Sequence, residues 1–190
     1  ISAVLSFSAL QNNDKIGAIL FPIGIEKFIP PKKGRKHILR IIRELIEFTP
    51  QSNMTDISEA LKYLTNAIKK RCTAFVISDF YDQDRETYRM NYEESLRIAN
   101  NKHDVIGLQI YDKRETELPA VGLIKMRDAE TGEYVWVDSS SKKIRQAFHD
   151  WWNITSQNIR MTFSQAGVDY ASVATDEDYV KPLINLFKRR

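Results

Sequence analysis

The sequence predicts a three-layer α/β/α domain: a mostly parallel, doubly wound sheet between helices, truncated at its amino end and carrying an added β-hairpin. Three observations lead there. Short apolar runs alternate with segments of helical periodicity along most of the chain, the pattern of βαβ units. The run Cys72-Thr73-Ala74-Phe75-Val76-Ile77-Ser78 is almost wholly apolar and ends on Asp79. That is expected of a strand buried on both faces, with its carboxyl end on the rim where open α/β sheets bind ligands. Finally, 190 residues with 43% hydrophobic content can bury the core of one domain, so residues 1–190 are taken as a single unit.

In chain order, residues 1–10 read as a helix already under way, apolar on most sides and with no capping group before it, so the chain is expected to begin partway through a domain. Asn12-Asn13-Asp14 is a turn, and residues 15–21 form a strand. Residues 25–29 alternate and are expected to stop at Pro30-Pro31 as an edge strand. A helix over 35–47 carries Ile38, Leu39, Ile41, Ile42, Leu45 and Ile46 at helical spacing. A polar loop then leads to a second helix, with Ile57, Ala60, Leu61, Leu64 and Ile68 on one face. After the strand ending at Asp79 come a charged loop, a helix over 91–101 and a strand over 104–111. Residues 122–138 form a hairpin whose turn lies at Asp128 to Gly132. A long helix over 142–166, interrupted or bent near Asn153, precedes a strand over 168–174 and a last helix over 179–190 with Val180, Leu183, Ile184 and Phe187 inward. The residues just past the strand ends are Pro22, Asp79, Asp112 and Thr175-Asp176, and the default site is their rim.

Composition excludes several classes. The 28 basic and 25 acidic residues nearly balance at a net charge of +3, which gives no support for nucleic-acid binding. A single cysteine, Cys72, rules out an intrachain disulfide framework and fits a reducing, cytoplasmic setting. No apolar run approaches the roughly 20 residues a membrane span needs, so no membrane insertion is expected of this segment.

Thr55 and Asp79 are the candidate metal ligands. A hard cation such as Mg²⁺ takes hydroxyl and carboxylate oxygens and keeps several waters. The same residues have plain structural readings: Thr55 or Asp56 as a helix N-cap with Glu59 at capping-box spacing, and Asp79 as a strand-end acceptor for loop amides. Other clusters carry less chemistry. Lys32, Lys33, Arg35, Lys36, His37 and Arg40 read as a solvated basic surface, and Phe148, Trp151 and Trp152, at i, i+3 and i+4, as core. His37, His103 and His149 have no zinc spacing. Cys72 has no evident base partner and reads as inert.

Leu5-Ser6-Phe7-Ser8-Ala9-Leu10-Gln11-Asn12-Asn13-Asp14-Lys15-Ile16-Gly17, Ile25-Glu26-Lys27-Phe28-Ile29-Pro30-Pro31, Thr55-Asp56-Ile57-Ser58-Glu59-Ala60-Leu61, Ile77-Ser78-Asp79-Phe80, His103-Asp104-Val105-Ile106, Leu118-Pro119-Ala120-Val121-Gly122-Leu123 and Arg127-Asp128-Ala129-Glu130-Thr131-Gly132-Glu133 follow one another in order. Together they resemble the bacterial domain of unknown function 58 family, which is similar to von Willebrand factor A-like domains. The resemblance implies a metal-ion-dependent adhesion site built from an Asp-x-Ser-x-Ser loop, a Thr and an Asp, the last two matching Thr55 and Asp79. It implies Mg²⁺ in the intact protein, and as partner a MoxR-type AAA+ ATPase in complex assembly or chaperone-like work.

The Asp-x-Ser-x-Ser loop and its strand are expected upstream of Leu5. The only near match, Asp138-Ser139-Ser140-Ser141-Lys142, ends in Lys and follows a hairpin arm, so it is read as a decoy. The absent strand belongs between those ending at Phe21 and Ser78, and either these two close the gap or another chain fills it. The expected function is a non-catalytic interaction module docking an acidic partner residue through the metal. The alternative is a metal-dependent phosphohydrolase or nuclease using Asp79, Asp82 and Asp84.

Overall fold

A computed structural model describes residues 1–22, 24–50, 55–84, 87, 89–127 and 132–190. Its elements are α1 (Ser2–Gln11), β1 (Ile16–Leu20), β2 (Lys27–Lys32), α2 (Arg35–Glu47), α3 (Ile57–Ala67), β3 (Thr73–Ser78), α4 (Glu93–Lys102), β4 (Asp104–Tyr111), β5 (Leu123–Arg127), β6 (Tyr134–Asp138), α5 (Lys142–Gln165), β7 (Asp169–Ala174) and α6 (Val180–Lys188), with a 3₁₀ turn at Lys113–Glu115.

Strands β3, β4 and β7 form a three-stranded parallel sheet with β4 in the middle. Alternation along each strand sends side chains to two helical layers. On one face Val76 and Val105 pack with Ile57, Leu96, Ile159 and Phe163 from α3, α4 and α5. On the other, Ile106 and Leu108 pack with Leu183 and Leu186 of α6 and with Ile1 and Leu5 at the start of α1. The layering is therefore helix, sheet, helix. Gly107 lets the α5 layer come close: a Cβ there would lie 2.3 Å from Phe163 Cε1.

Several expectations need correcting. Both β3 and β4 are expected to be buried strands; β4 is buried over most of its length, whereas in β3 Val76 alone is buried and Phe75 and Ile77 are partly covered, because among the described residues β3 has a strand on one side alone. Strand β1 does not close onto β3. It pairs antiparallel with β2 in a separate two-stranded sheet, and β5 with β6 in another. Strand β2 runs through Pro30 and Pro31 to Lys32 rather than stopping before them. An edge strand tolerates prolines, which have no N–H to contribute on the solvent side, and the pairing register shifts between Ile16 and Ala18.

Helix α5 is a single 24-residue helix with no break at Asn153. In α6 the inward residues are Leu183 and Leu186; Val180, Ile184 and Phe187 lie on the exposed side. In α2, Ile38 and Ile41 are buried while Leu39, Leu45 and Ile46 are exposed. An amphipathic pattern gives a helix's period but not which stripe a neighbour covers. The hairpin strands match expectation, while its turn from Asp128 to Thr131 lies outside the described residues; Gly132 adopts φ 74°.

Candidate functional site

The carboxyl ends of β3, β4 and β7 share one rim because the three strands are parallel. Each is followed by an acidic residue: Asp79, Asp112 and Asp176. Asp79 is exposed and opens a tight turn. Its Oδ1 accepts the Tyr81 N–H at 3.2 Å and the Ser78 hydroxyl at 3.2 Å, while Ser78 Oγ accepts the Phe80 N–H at 3.2 Å. Asp79 Oδ2 has no protein partner among the described residues. Phe80 adopts φ 65°, a left-handed conformation unusual for a bulky residue, and is fully buried. Strain of this kind persists only where the surroundings over-determine it, and it clusters at functional sites. Here the surroundings are Phe163, with ring centroids 4.8 Å apart, and Tyr92 at 5.9 Å.

Thr55 is exposed and lies just before α3. Asp56 is the N-cap of that helix: its Oδ1 accepts the Glu59 N–H at 2.7 Å, and its own N–H donates to Pro22 O at 3.0 Å. Asp82 holds the next amide, accepting the Ile57 N–H at 3.1 Å and Asn91 Nδ2 at 2.7 Å. The start of α3, which Thr55 precedes, is thereby tied to the loop after β3, which Asp79 opens; no hydrogen bond joins the Thr55 and Asp79 side chains.

Of the three carboxylates in the hydrolase alternative, Asp82 is occupied as a helix cap and Asp84 Oδ1 accepts both the N–H and the hydroxyl of Thr87, at 2.7 and 2.8 Å. Among the described residues, no group of three or more His, Cys, Asp or Glu side chains is placed to hold a metal ion. The Thr55 hydroxyl and Asp79 carboxylate are hard oxygen donors of the type Mg²⁺ takes.

The rim is electrostatically acidic. Partial burial, with the negative charges of Asp79 and Asp112, pushes the Glu115 carboxyl up from its ordinary value despite a hydrogen bond from the Asp112 N–H. Burial, then Glu115 and Asp79, pushes the Tyr81 hydroxyl up, and this hydroxyl is enclosed without a partner. Glu115 and Tyr81 were not singled out from sequence. Nor was Gln109, whose lone polar side chain inside Val105-Ile106-Gly107-Leu108-Gln109-Ile110 was the available signal.

The remaining candidates have structural roles. Ser139 is fully buried at the base of the hairpin; its hydroxyl donates to Gly122 O at 2.6 Å and accepts the Val121 N–H at 3.1 Å. Trp152 is buried, but Trp151 is 41% exposed and packs against Tyr81, so only part of that aromatic group is core. Cys72 does have a nitrogen partner: its Sγ lies 3.5 Å from Nδ1 of the fully buried His103. Burial raises the thiol and lowers the imidazole, so the pair is neutral.

The fold and rim define an α/β/α domain with an acidic carboxyl-side edge. Comparison with known proteins is more specific: a family model described as "Protein of unknown function DUF58" matches residues 1–160, and the chain belongs to that family. An uncharacterised protein of Mycobacterium tuberculosis is 24% identical over 191 residues, covering all of this chain and 58% of its own length. An uncharacterised Mycobacterium avium protein is 25% identical over 168 residues, covering 85% of this chain and 93% of its own length. The chain thus spans little more than half of the first of these relatives. Among solved structures, BatB from Bacteroides thetaiotaomicron superimposes with TM-score 0.57 at 16% identity, over 99% of this chain and 85% of its own. An aerotolerance-related membrane protein from Bacteroides fragilis gives 0.56 at 15% identity, over 100% and 88%. At these identities the likeness is one of fold. No helix among the described residues is long and apolar enough to cross a membrane.

Proposed function

We propose that this domain is a non-catalytic docking module of von Willebrand factor A type. In the whole protein its carboxyl-side rim would present Thr55 and Asp79 to Mg²⁺, and the ion would receive an acidic residue of a partner. The observation that carries the reading is the turn after β3. It is strained at Phe80, and it displays on the rim of a parallel sheet a carboxylate of which only Oδ1 has a hydrogen-bond partner among the described residues. The remaining ligands would come from an Asp-x-Ser-x-Ser loop elsewhere in the whole protein. The outer edge of β3, which carries no strand among the described residues, is where that loop's strand would add. The ion supplies a Lewis-acidic coordination point, and the protein holds its oxygen donors in place. The family resemblance implies a MoxR-type AAA+ ATPase as the partner class, and the single cysteine fits a cytoplasmic setting.

The test is calorimetric titration of Mg²⁺ into the full-length protein and into its Thr55→Ala and Asp79→Ala variants. Weaker binding in both is expected; unchanged binding in both sinks the reading. A companion measurement is co-purification of the ATPase with and without EDTA, where metal-independent association would count against rim docking.

A further inference from the structure

A buried polar chain runs beneath the Asp79 turn. Gln109, 1% exposed, lies toward the carboxyl end of β4 on the face covered by α5. Its Oε1 accepts two hydroxyls from β7, those of Tyr170 and Ser172, the latter at 3.1 Å. Its Nε2 donates to the backbone carbonyl of Asp79 at 3.1 Å. One side chain therefore links all three strands of the parallel sheet at the level of the rim.

Which end of the amide faces Asp79 follows from chemistry. Burial pushes the Tyr170 hydroxyl up to about 12, so it stays protonated at neutral pH. With Tyr170 and Ser172 both able to donate, the acceptor oxygen of Gln109 faces β7 and its NH₂ is left for the Asp79 carbonyl. The reversed amide could still donate to the two hydroxyl oxygens, but it would set its own carbonyl against that of Asp79 and leave that acceptor pair without a donor. The next carbonyl, that of Phe80, lies 3.5 Å from the Tyr92 hydroxyl. Both carbonyls of the strained segment thus meet buried groups, and the carboxylate above takes its direction from the backbone they hold.

We propose that Gln109, oriented by Tyr170 and Ser172, is the positioning residue for the Asp79 carboxylate. This rests on the reading of Asp79 as a rim ligand. An outer partner that orients a metal ligand changes metal affinity without touching the ion. Gln109 acts through the Asp79 carbonyl and turn, one step further out.

The test compares Gln109→Met, which keeps the shape of the side chain and removes its polar atoms, with Tyr170→Phe and Asp79→Ala in the full-length protein. Two readouts are used: Mg²⁺ affinity by calorimetry, and hydrogen exchange of the Tyr81 amide, which reports the bond to Asp79 Oδ1. Gln109→Met is expected to weaken Mg²⁺ binding by about tenfold, the lower end for outer partners of metal ligands, and to speed Tyr81 exchange. Tyr170→Phe is expected to do the same to a smaller extent, and it serves as the test if Gln109→Met does not fold. A variant that melts earlier yet keeps wild-type affinity and Tyr81 protection overturns the proposal, since Gln109 would then be packing only. If Asp79→Ala, like Thr55→Ala, leaves Mg²⁺ binding unchanged, the docking reading fails by itself. Tyr81 exchange in Gln109→Met still decides whether Gln109 holds the turn: unchanged protection overturns positioning, and lost protection sustains it.

Discussion

The turns after β3 and β4 begin alike and are built differently. In each, an aspartate just past the strand accepts the amide two residues on: Asp79 from Tyr81 and Asp112 from Arg114, the latter at 2.8 Å. The Asp112 turn is a local device. It forms a capping box with Glu115, contains no buried residue, and relies on short-range bonds that any exposed Asp-initiated turn makes. The Asp79 turn is tied into the core through Phe80, which packs on Phe163 of α5 and on Tyr92 just before α4, and through Gln109 of β4. The lesson is that the same side-chain bond to backbone caps a turn in one place and sits in an over-determined, strained frame in the other. Only the second is costly enough to imply selection for a particular geometry.

The largest expected effect comes from removing the shared floor. Phe163→Ala should cost about 3–5 kcal/mol, as for other buried aromatic truncations, and should loosen the Phe80 turn while leaving the Asp112 turn intact. Denaturant unfolding combined with exchange at the Tyr81 and Arg114 amides would show this; equal loosening of both turns would erase the distinction drawn above. Next is Asp82→Ala, which strips the acceptor from the Ile57 and Asn91 donors; a loss of about 1–2 kcal/mol is expected, and a Tm within error of wild type would show that the loop after β3 does not depend on α3.

Asp112→Ala should cost less, about 0.5–1 kcal/mol, as an exposed cap does. A larger loss would mean that this turn too is anchored. The smallest effect is at the end of β7, where Lys113 Nζ pairs with Asp176 at 3.1 Å and Glu177 at 2.9 Å on the surface. Those hydrogen bonds raise the Lys113 ammonium above its ordinary 10.5. The sign follows: its contribution is full below the unfolded value and disappears as pH rises through the raised one. Lys113→Met should therefore trail wild type slightly at neutral pH and match it in strong alkali, and added salt should narrow the gap; a difference that persists at high pH would contradict the pairing.

Much of this was legible in the residues, unevenly. The boundaries of α2 and β4 and the capping of α3 by Asp56 follow from local signals: helical periodicity, an unbroken apolar run, an acidic residue before a helix. Asp79 could be placed on the rim because a strand's end is marked by its composition. Full burial of β3 was over-read because its run is as apolar as that of β4, whereas burial depends on how many neighbours a strand pairs with. The outward stripe of α6 was misjudged for a related reason: its apolar residues occupy more of the helix surface than the sheet covers. The nitrogen partner of Cys72 was missed because His103 is 31 residues away in sequence and arrives only through the register of β3 against β4.

The sequence alone therefore determined the kinds of element, their order and the identity of the rim residues, since periodicity, caps and turn chemistry are written within a few residues of one another. Only the tertiary structure decided that β1 leaves the parallel sheet, that Phe80 is forced into a left-handed conformation, and that Gln109 reaches under Asp79. Each of those depends on partners brought together from distant parts of the chain, where packing and buried hydrogen bonds, rather than local preference, set the energy.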